Sequence, residues 1–148
     1  MYRHILVPTD GSPLSLKAAK TAAKLAKQMN ARITALYAIE PYSPPAGADA
    51  IAFSIAYTAK EYEKGMREVA AKALARVQAA ADAEEVRCDA ISVVQMHAWE
   101  AIVNAAKQKK CDLIVMASHG RRGLAGLLLG SETQKVLTHS KTPVLVCR

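Results

Sequence analysis

Short apolar segments, separated by longer amphipathic ones, constrain this chain more than any other feature. Nearly continuous apolar runs occupy residues 4–8, 32–39, 112–117 and 142–147. Runs of this length without polar alternation are typical of strands buried on both faces, as in a parallel sheet. The segments between them carry apolar residues at helical spacing. The alternation predicts one α/β domain over residues 1–148, with helices on both faces of the sheet.

The helices are predicted from their caps and their apolar stripes. Ser12 and Pro13 suit the N-cap and the first position of a helix that ends near Met29. Three further helices are expected over residues 56–83, 98–108 and 131–139, and one more strand is expected over residues 86–94. A proline-containing loop at 40–54 joins the second strand to the long helix and is predicted to be mobile.

Composition excludes several classes of protein. Hydrophobic residues make up 51% of the chain, so a sizeable core is expected, but no run approaches the roughly 18 apolar residues of a membrane span. The apolar run at 5–7 is too short for the core of a signal peptide, so we expect a cytoplasmic protein. Three cysteines without a CxxC pair and four histidines without ligand spacing argue against a disulfide framework and a zinc site.

Positive charge is concentrated in the last third of the sequence. The formal net charge is +7, and residues 107–148 hold eight Lys or Arg residues against only Asp112 and Glu132. Such a concentration suggests an anionic partner, but charge alone favours the simpler interpretation of a solvated basic face. Nucleic acid is the weaker choice of anion, because this segment has no aromatic residue on which bases could stack.

A glycine-rich segment after the fourth strand is the strongest functional signal. Gly120, Gly123, Gly126 and Gly130 are four of the seven glycines, and Ser131 and Thr133 follow at the start of the last helix. Glycines leave backbone N–H groups accessible, and these groups together with a helix N-terminus favour the binding of a phosphate. The hydroxyls of Ser131 and Thr133 could donate further hydrogen bonds to it. The spacing fits neither the P-loop nor the G-x-G-x-x-G fingerprint. The alternative is a tight loop that serves packing alone.

An acidic residue stands at the end of the first strand. Asp10 follows Pro8 and Thr9 and could accept hydrogen bonds from a ribose or from a ligand amino group. The alternative is that its carboxylate satisfies backbone N–H groups of the turn. In a doubly wound sheet the first and fourth strands are neighbours at the switch point, so both loops are expected to face one crevice.

These motifs together resemble the universal stress protein family. The resemblance covers Tyr2 to Arg148, and it is carried by Pro8-Thr9-Asp10, by Ala117-x2-Gly120-x9-Gly130-Ser131 and by the terminal Pro143-Val-Leu-Val. Ala117 is the one departure, since the motif of the ATP-binding branch has glycine there. A methyl group is tolerated if Ala117 keeps ordinary β dihedral angles, and strains the site if a positive φ is needed. We expect a five-stranded parallel sheet of order 3-2-1-4-5 with two helices on each face.

The resemblance implies a site for ATP, or for ADP or AMP, with Mg²⁺ or Mn²⁺ as a companion of the phosphates. Adenine is expected near Pro8, Thr9, Ala38 and Met116, and the ribose or the adenine edge near Asp10. The phosphates are expected on backbone N–H groups of Gly120 and Gly130 and at the start of the last helix. The full set of expected site residues is Pro8, Thr9, Asp10, Ala38, Met116, Ala117, Gly120, Gly130, Ser131, Glu132 and Thr133.

Two functions remain open from the sequence. The first is a nucleotide-binding regulator of the stress response whose ATP hydrolysis is slow or absent, because no catalytic base or Walker lysine stands beside the expected site. The second is an interaction module that binds no nucleotide and works through unknown protein partners. In both, the apolar terminal strand at 143–147 is expected to pair antiparallel with a second copy and form a homodimer.

Overall fold

The computed structural model describes residues 1–43, 58–120 and 129–148. It contains five parallel strands in the order β3-β2-β1-β4-β5, which confirms the predicted fold class and strand order. The strands are β1 (His4–Pro8), β2 (Arg32–Ile39), β3 (Cys88–Val94), β4 (Leu113–Ala117) and β5 (Val144–Cys147). The helices are α1 (Pro13–Met29), α2 (Ala59–Asp82), α3 (Ala98–Gln108) and α4 (Ser131–His139).

Two helices cover each face of the sheet, as expected from the sequence. On one face, alanines of α1 and α2 pack against Ile5 and Val7 of β1 and against Ile33 and Ala35 of β2. On the other face, α3 and α4 pack against Leu6, Leu36, Ile114 and Met116. Alternate residues of each strand therefore serve opposite cores, because successive side chains of a strand point to opposite faces. Among the described residues, no helix has the length and apolarity needed to cross a bilayer.

Several element boundaries differ from the predicted ones, and local hydrogen bonds explain the difference. The long helix begins at Ala59, not at 56, because Thr58 has extended dihedral angles and forms a capping box with Glu61. The third strand begins at Cys88, not at Val86, because the N–H of Val86 still bonds to Ala81 in the turn that ends α2. The last strand begins at Val144, because Thr142 bonds back to Ser140.

The two halves of α2 have different surroundings. Its buried residues are Ala70, Ala73, Leu74, Val77 and Ala81, so burial begins only at Ala70. Residues 59–69, called the first half below, include no buried residue, although Tyr62 and Met66 are half-buried. Tyr62 donates a hydrogen bond of 3.3 Å to the carbonyl of Glu40 and packs at 5.4 Å, between ring centroids, against Tyr42. This contact ties the start of α2 to the chain that leaves β2.

Candidate functional site

The carboxyl ends of β1 and β4 lie side by side, because these strands pair in parallel, with Ile5 opposite Leu113. Asp10 follows β1 and Gly120 follows β4. A Cβ atom added at Gly120 would lie 2.7 Å from Oδ2 of Asp10. The two turns therefore meet, as the sequence predicted, and a side chain at residue 120 would displace the Asp10 carboxylate from its present position. This meeting point of Asp10 and Gly120 with the start of α4 is called the crevice below.

The β1–α1 turn is built by side chains that bond to its own backbone. Asp10 Oδ1 accepts from the N–H of Ser12 at 2.9 Å, and Thr9 Oγ1 accepts from the N–H of Gly11 at 3.1 Å. Thr9 is buried, and its hydroxyl also shares a 3.0 Å hydrogen bond with Ser15 Oγ on α1. The turn-building role weighed for Asp10 is thus present. The other carboxylate oxygen, Oδ2, lies on the Gly120 side.

Pro8, Ala38 and Met116 share one face of the sheet. Met116 is buried among residues of α3 and α4, and Ala38 packs at the edge of the same cluster. Pro8 follows the face of Leu6 by strand alternation and is half-buried. These three residues, predicted to line an adenine site, therefore lie on three adjacent strands towards the carboxyl edge of the sheet.

Ala117 occupies an ordinary strand position. It is the last residue of β4, pairs with Cys147 of β5, and is not among the described residues with positive φ. The condition for tolerating a methyl group in place of the motif glycine is therefore met.

Thr133 does not present its hydroxyl to a ligand. Its side chain is buried, and Oγ1 donates a 3.1 Å hydrogen bond to the carbonyl of Ala117. The predicted donation from this hydroxyl to phosphate does not fit the structure, because the single hydroxyl proton is already used. Thr133 instead ties the first turn of α4 to the end of β4.

The N–H of Gly130 is also already bonded. It donates to the carbonyl of Ser118 at 2.8 Å, so the predicted donation of this amide to phosphate does not fit either. A Cβ at Gly130 would lie 3.2 Å from both Cα and Cβ of His119. The missing side chain therefore lets the start of α4 approach the backbone after β4. A Gly130→Val variant would strain this contact as well as any phosphate site, so it is a poor test of ligand binding.

The remaining residues of the α4 start have different environments. Ser131 is exposed at the first helical position, and the N-cap Gly130 has no side chain to cap the helix. The Glu132 side chain extends towards α3, where its Oε2 accepts a 2.7 Å hydrogen bond from the backbone N–H of Trp99 in the first turn. The family resemblance implies that Glu132 contributes its backbone rather than its carboxylate, which would repel a phosphate, and the observed position of the carboxylate fits this expectation. Its role as a cap for α3 was missed. The available signal was the residue type of His97, which is not one of the preferred N-cap residues, and His97 indeed makes no side-chain capping bond.

Histidines and cysteines add no second site among the residues that the structure describes. Ser118 Oγ and His119 Nδ1 lie 3.1 Å apart and share a hydrogen bond. Desolvation by burial raises the pKa of the Cys88 and Cys111 thiols to about 11, which makes both poor nucleophiles. No group of three or more His, Cys, Asp or Glu side chains suited to a metal ion occurs in the described ranges. Gly123 and Gly126 of the glycine-rich segment, the neighbouring Arg121 and Arg122, and residues 44–54 of the 40–54 loop lie outside those ranges.

Comparison with known proteins supplies the family. The model of the universal stress protein family matches residues 1–148. The chain belongs to this family. The universal stress protein MJ0531 of Methanocaldococcus jannaschii is 35% identical over 148 residues, which span all of this chain and 83% of that protein.

Solved structures of the family share the fold. The structure of MJ0577, a universal stress protein of the same archaeon, is 28% identical and superposes with a TM-score of 0.81 over 99% of this chain and 96% of that one. A universal stress protein in complex with cAMP is 30% identical and superposes with a TM-score of 0.72, over 99% and 97% of the two chains.

Proposed function

We propose that the crevice binds an adenine nucleotide. The observation that carries the proposal is the approach of Gly120 to Asp10, where a Cβ would lie 2.7 Å from the carboxylate. It sets an acid, the natural acceptor for ribose hydroxyls or an adenine amino group, beside a backbone segment with no side chain. The half-buried Pro8 and Ala38, on adjacent strand ends, offer apolar surface for the adenine ring, with the buried Met116 beside them on β4.

Phosphate is proposed to bind at the start of α4. The first N–H groups of a helix and its dipole favour an anion, and the exposed Ser131 can add a hydroxyl donor. The cAMP complex of a relative that is 30% identical supports an adenine nucleotide as the class of ligand. For this chain we propose ATP, ADP or AMP. Mg²⁺ or Mn²⁺ would enter with the nucleotide and take most of its ligands from phosphate and water oxygens.

The proposed role is regulation rather than catalysis. Asp10 is held by the Ser12 N–H within a turn, which suits an acid that binds a ligand more than one that abstracts a proton from water. Hydrolysis of ATP is therefore expected to be slow or absent. The nucleotide would stabilise one conformation of a cytoplasmic stress-response dimer, which protein partners then recognise.

A second candidate function is an interaction module without nucleotide. The observation that favours it is the use of two predicted phosphate donors, the Gly130 N–H and the Thr133 hydroxyl, in bonds to carbonyls at the end of β4. If these bonds persist in every state, fewer donors remain for a polyphosphate. The two functions differ in one measurable property, which is affinity for nucleotide.

Titration with a fluorescent ATP analogue, followed by competition with ATP, AMP and cAMP, tests the proposal. We expect saturable binding at one site per chain. Gly120→Ala should weaken it about tenfold or more, because the new methyl group displaces the Asp10 carboxylate. Ala79→Val, which adds bulk at an exposed position of α2, is the control and should bind normally. No binding by folded wild-type protein at high micromolar nucleotide would select the interaction module.

A further inference from the structure

The turn that carries Asp10 is contacted by α2 as well as by α1. Arg76 of α2 donates from Nη1 to the carbonyl of Gly11 at 3.0 Å. Gly11 has a φ of +80°, a conformation that favours glycine, and a Cβ at this position would lie 3.4 Å from the Cβ of Ala73, also on α2. The long helix therefore packs directly on the turn and holds its outward-facing carbonyl.

Arg76 and Asp10 bond to the two ends of the same peptide unit. The Gly11 carbonyl that accepts from Arg76 belongs to the peptide whose N–H, on Ser12, donates to Asp10 Oδ1 at 2.9 Å. A hydrogen bond to the carbonyl polarises the peptide and strengthens the bond that its N–H donates. Because the guanidinium is charged, the polarisation is larger than a neutral donor would cause. Arg76 thus acts on the carboxylate through one peptide group.

We propose that Arg76 is a positioning residue that fixes the Asp10 carboxylate for the nucleotide. The inference rests on the proposed nucleotide-binding function and extends it to a residue 65 positions away from Gly11 in the sequence. Arg76 orients the Gly11–Ser12 peptide, the peptide holds Oδ1, and Oδ2 is thereby kept on the Gly120 side of the crevice. It also makes α2 part of the support of the site.

The test combines single variants with a double-mutant cycle, read by nucleotide affinity. Arg76→Ala should weaken binding of the fluorescent ATP analogue about three- to tenfold, because one exposed, charge-assisted hydrogen bond is lost. Arg76→Lys should restore most of the affinity, since an ammonium can donate to the same carbonyl. Arg67→Ala removes the same charge from the same helix, where Arg67 pairs with Glu63, and should have no effect. In an Asp10→Ala background, Arg76→Ala should cause no further loss.

A second readout needs no nucleotide. In the unliganded protein, the amide proton signal of Ser12 should move upfield in Arg76→Ala, as its bond to Asp10 weakens, and stay in place in Arg67→Ala. If the wild type binds nucleotide and Arg76→Ala binds it with the same affinity, the inference about Arg76 is overturned, but the proposed function is not. If Arg76→Ala lowers the affinity as much in the Asp10→Ala background as in the wild type, the inference is also overturned, because Arg76 would then contact the phosphate directly. Absence of wild-type binding would overturn the proposed function and this inference with it.

Discussion

His4 is a buried histidine whose hydrogen bonds specify its protonation state. Arg32 Nη2 lies 3.2 Å from Nδ1, and since a guanidinium only donates, Nδ1 must accept. The proton therefore lies on Nε2, which donates to Thr34 Oγ1 at 2.8 Å. Burial, and secondarily the charge of Arg32, lower the pKa of His4, so the folded protein favours the neutral ring.

This environment predicts a loss of stability in mild acid. Because the folded-state pKa lies below the unfolded value of about 6.5, the unfolded chain takes up the proton first. The contribution of His4 to the free energy of unfolding is complete above that value and is lost as the pH falls through the folded-state pKa. Denaturant unfolding between pH 8 and pH 5 should show this fall. His4→Gln, which keeps a donor for Thr34 but does not titrate, should flatten it, and an equal slope in both proteins would contradict the prediction.

Asp10 allows the role of its charge to be separated from the role of its turn. Asp10→Asn keeps an oxygen for the Ser12 N–H but removes the charge, whereas Asp10→Ala removes both. We expect either variant to weaken nucleotide binding by about 1.5–3 kcal/mol for each charge-assisted hydrogen bond lost. Only Asp10→Ala should also lower the free energy of unfolding, by roughly 1 kcal/mol. Calorimetric titration and denaturant unfolding measure the two effects, and equal unfolding of both variants would argue against the turn role.

At this scale the sequence predicted which residues meet but not how their polar atoms are used. The meeting of Asp10 with Gly120 follows from strand order, because β1 and β4 are neighbours. Strand order does not predict that the Thr133 hydroxyl and the Gly130 amide donate to carbonyls at the end of β4. A residue type shows that a donor is present, but not which acceptor lies nearest to it. Arg76 was unpredictable for the same reason, because its acceptor is a main-chain atom distant in sequence.

Among the elements, α3 and α4 are joined because a side chain of α4 caps the N-terminus of α3. His97 makes no capping bond, and Glu132 of α4 accepts from Trp99 N–H in its place. The ring of Trp99 also stacks on His139 at 4.6 Å, so the two helices touch at both ends of α4. The carboxylate satisfies an N–H of the first turn of α3 and favours the positive end of its dipole.

Removal of this cap should destabilise the domain. We expect Glu132→Ala to lower the free energy of unfolding by about 0.5–2 kcal/mol, the usual cost of losing a cap. Glu132→Gln should lose less, because the amide oxygen still accepts from Trp99. Denaturant unfolding measures both, with Glu68→Ala, an exposed acid on α2, as the control. A loss no larger than that of Glu68→Ala would contradict the capping role.

Element types were predictable and their ends were less so. The apolar runs fixed β1 and β2 to the residue, because both strands are almost wholly buried. Val86 was assigned to a strand because it is apolar. It is buried, but it belongs to the turn that follows α2, in which Glu85 has a φ of +58°. Thr58 and Glu61 are three residues apart and carried a capping-box signal that would have placed the start of α2 correctly.

For the whole molecule, the outer edge of β5 is the proposed site of self-association. β5 pairs with β4 on one side and ends the sheet on the other. Leu145 is 40% exposed at this apolar edge, which no charged residue of β5 protects. We propose that two copies pair antiparallel there, which gives a two-fold dimer.

A charge at this edge should abolish the dimer. We expect wild-type protein to sediment as a dimer at micromolar concentration and Leu145→Lys as a monomer, because pairing would bury the ammonium against its symmetry mate. Val69→Lys is the matched control, since Val69 is also 40% exposed but lies on α2, and it should remain dimeric. A monomeric wild type, or dissociation of both variants, would contradict the proposal.

The uneven burial of α2 has a consequence for local opening. Residues 59–69 are stabilised by the helix's own hydrogen bonds, by the Thr58 capping box and by the contact of Tyr62 with Glu40 and Tyr42. Residues from Ala70 onwards share the core. Segments with few buried contacts open without global unfolding. Amide protons of residues 59–69 should therefore exchange with solvent far sooner than those after Ala70. Arg76 lies about two turns beyond Ala70 and thus belongs to the slowly exchanging part of the helix.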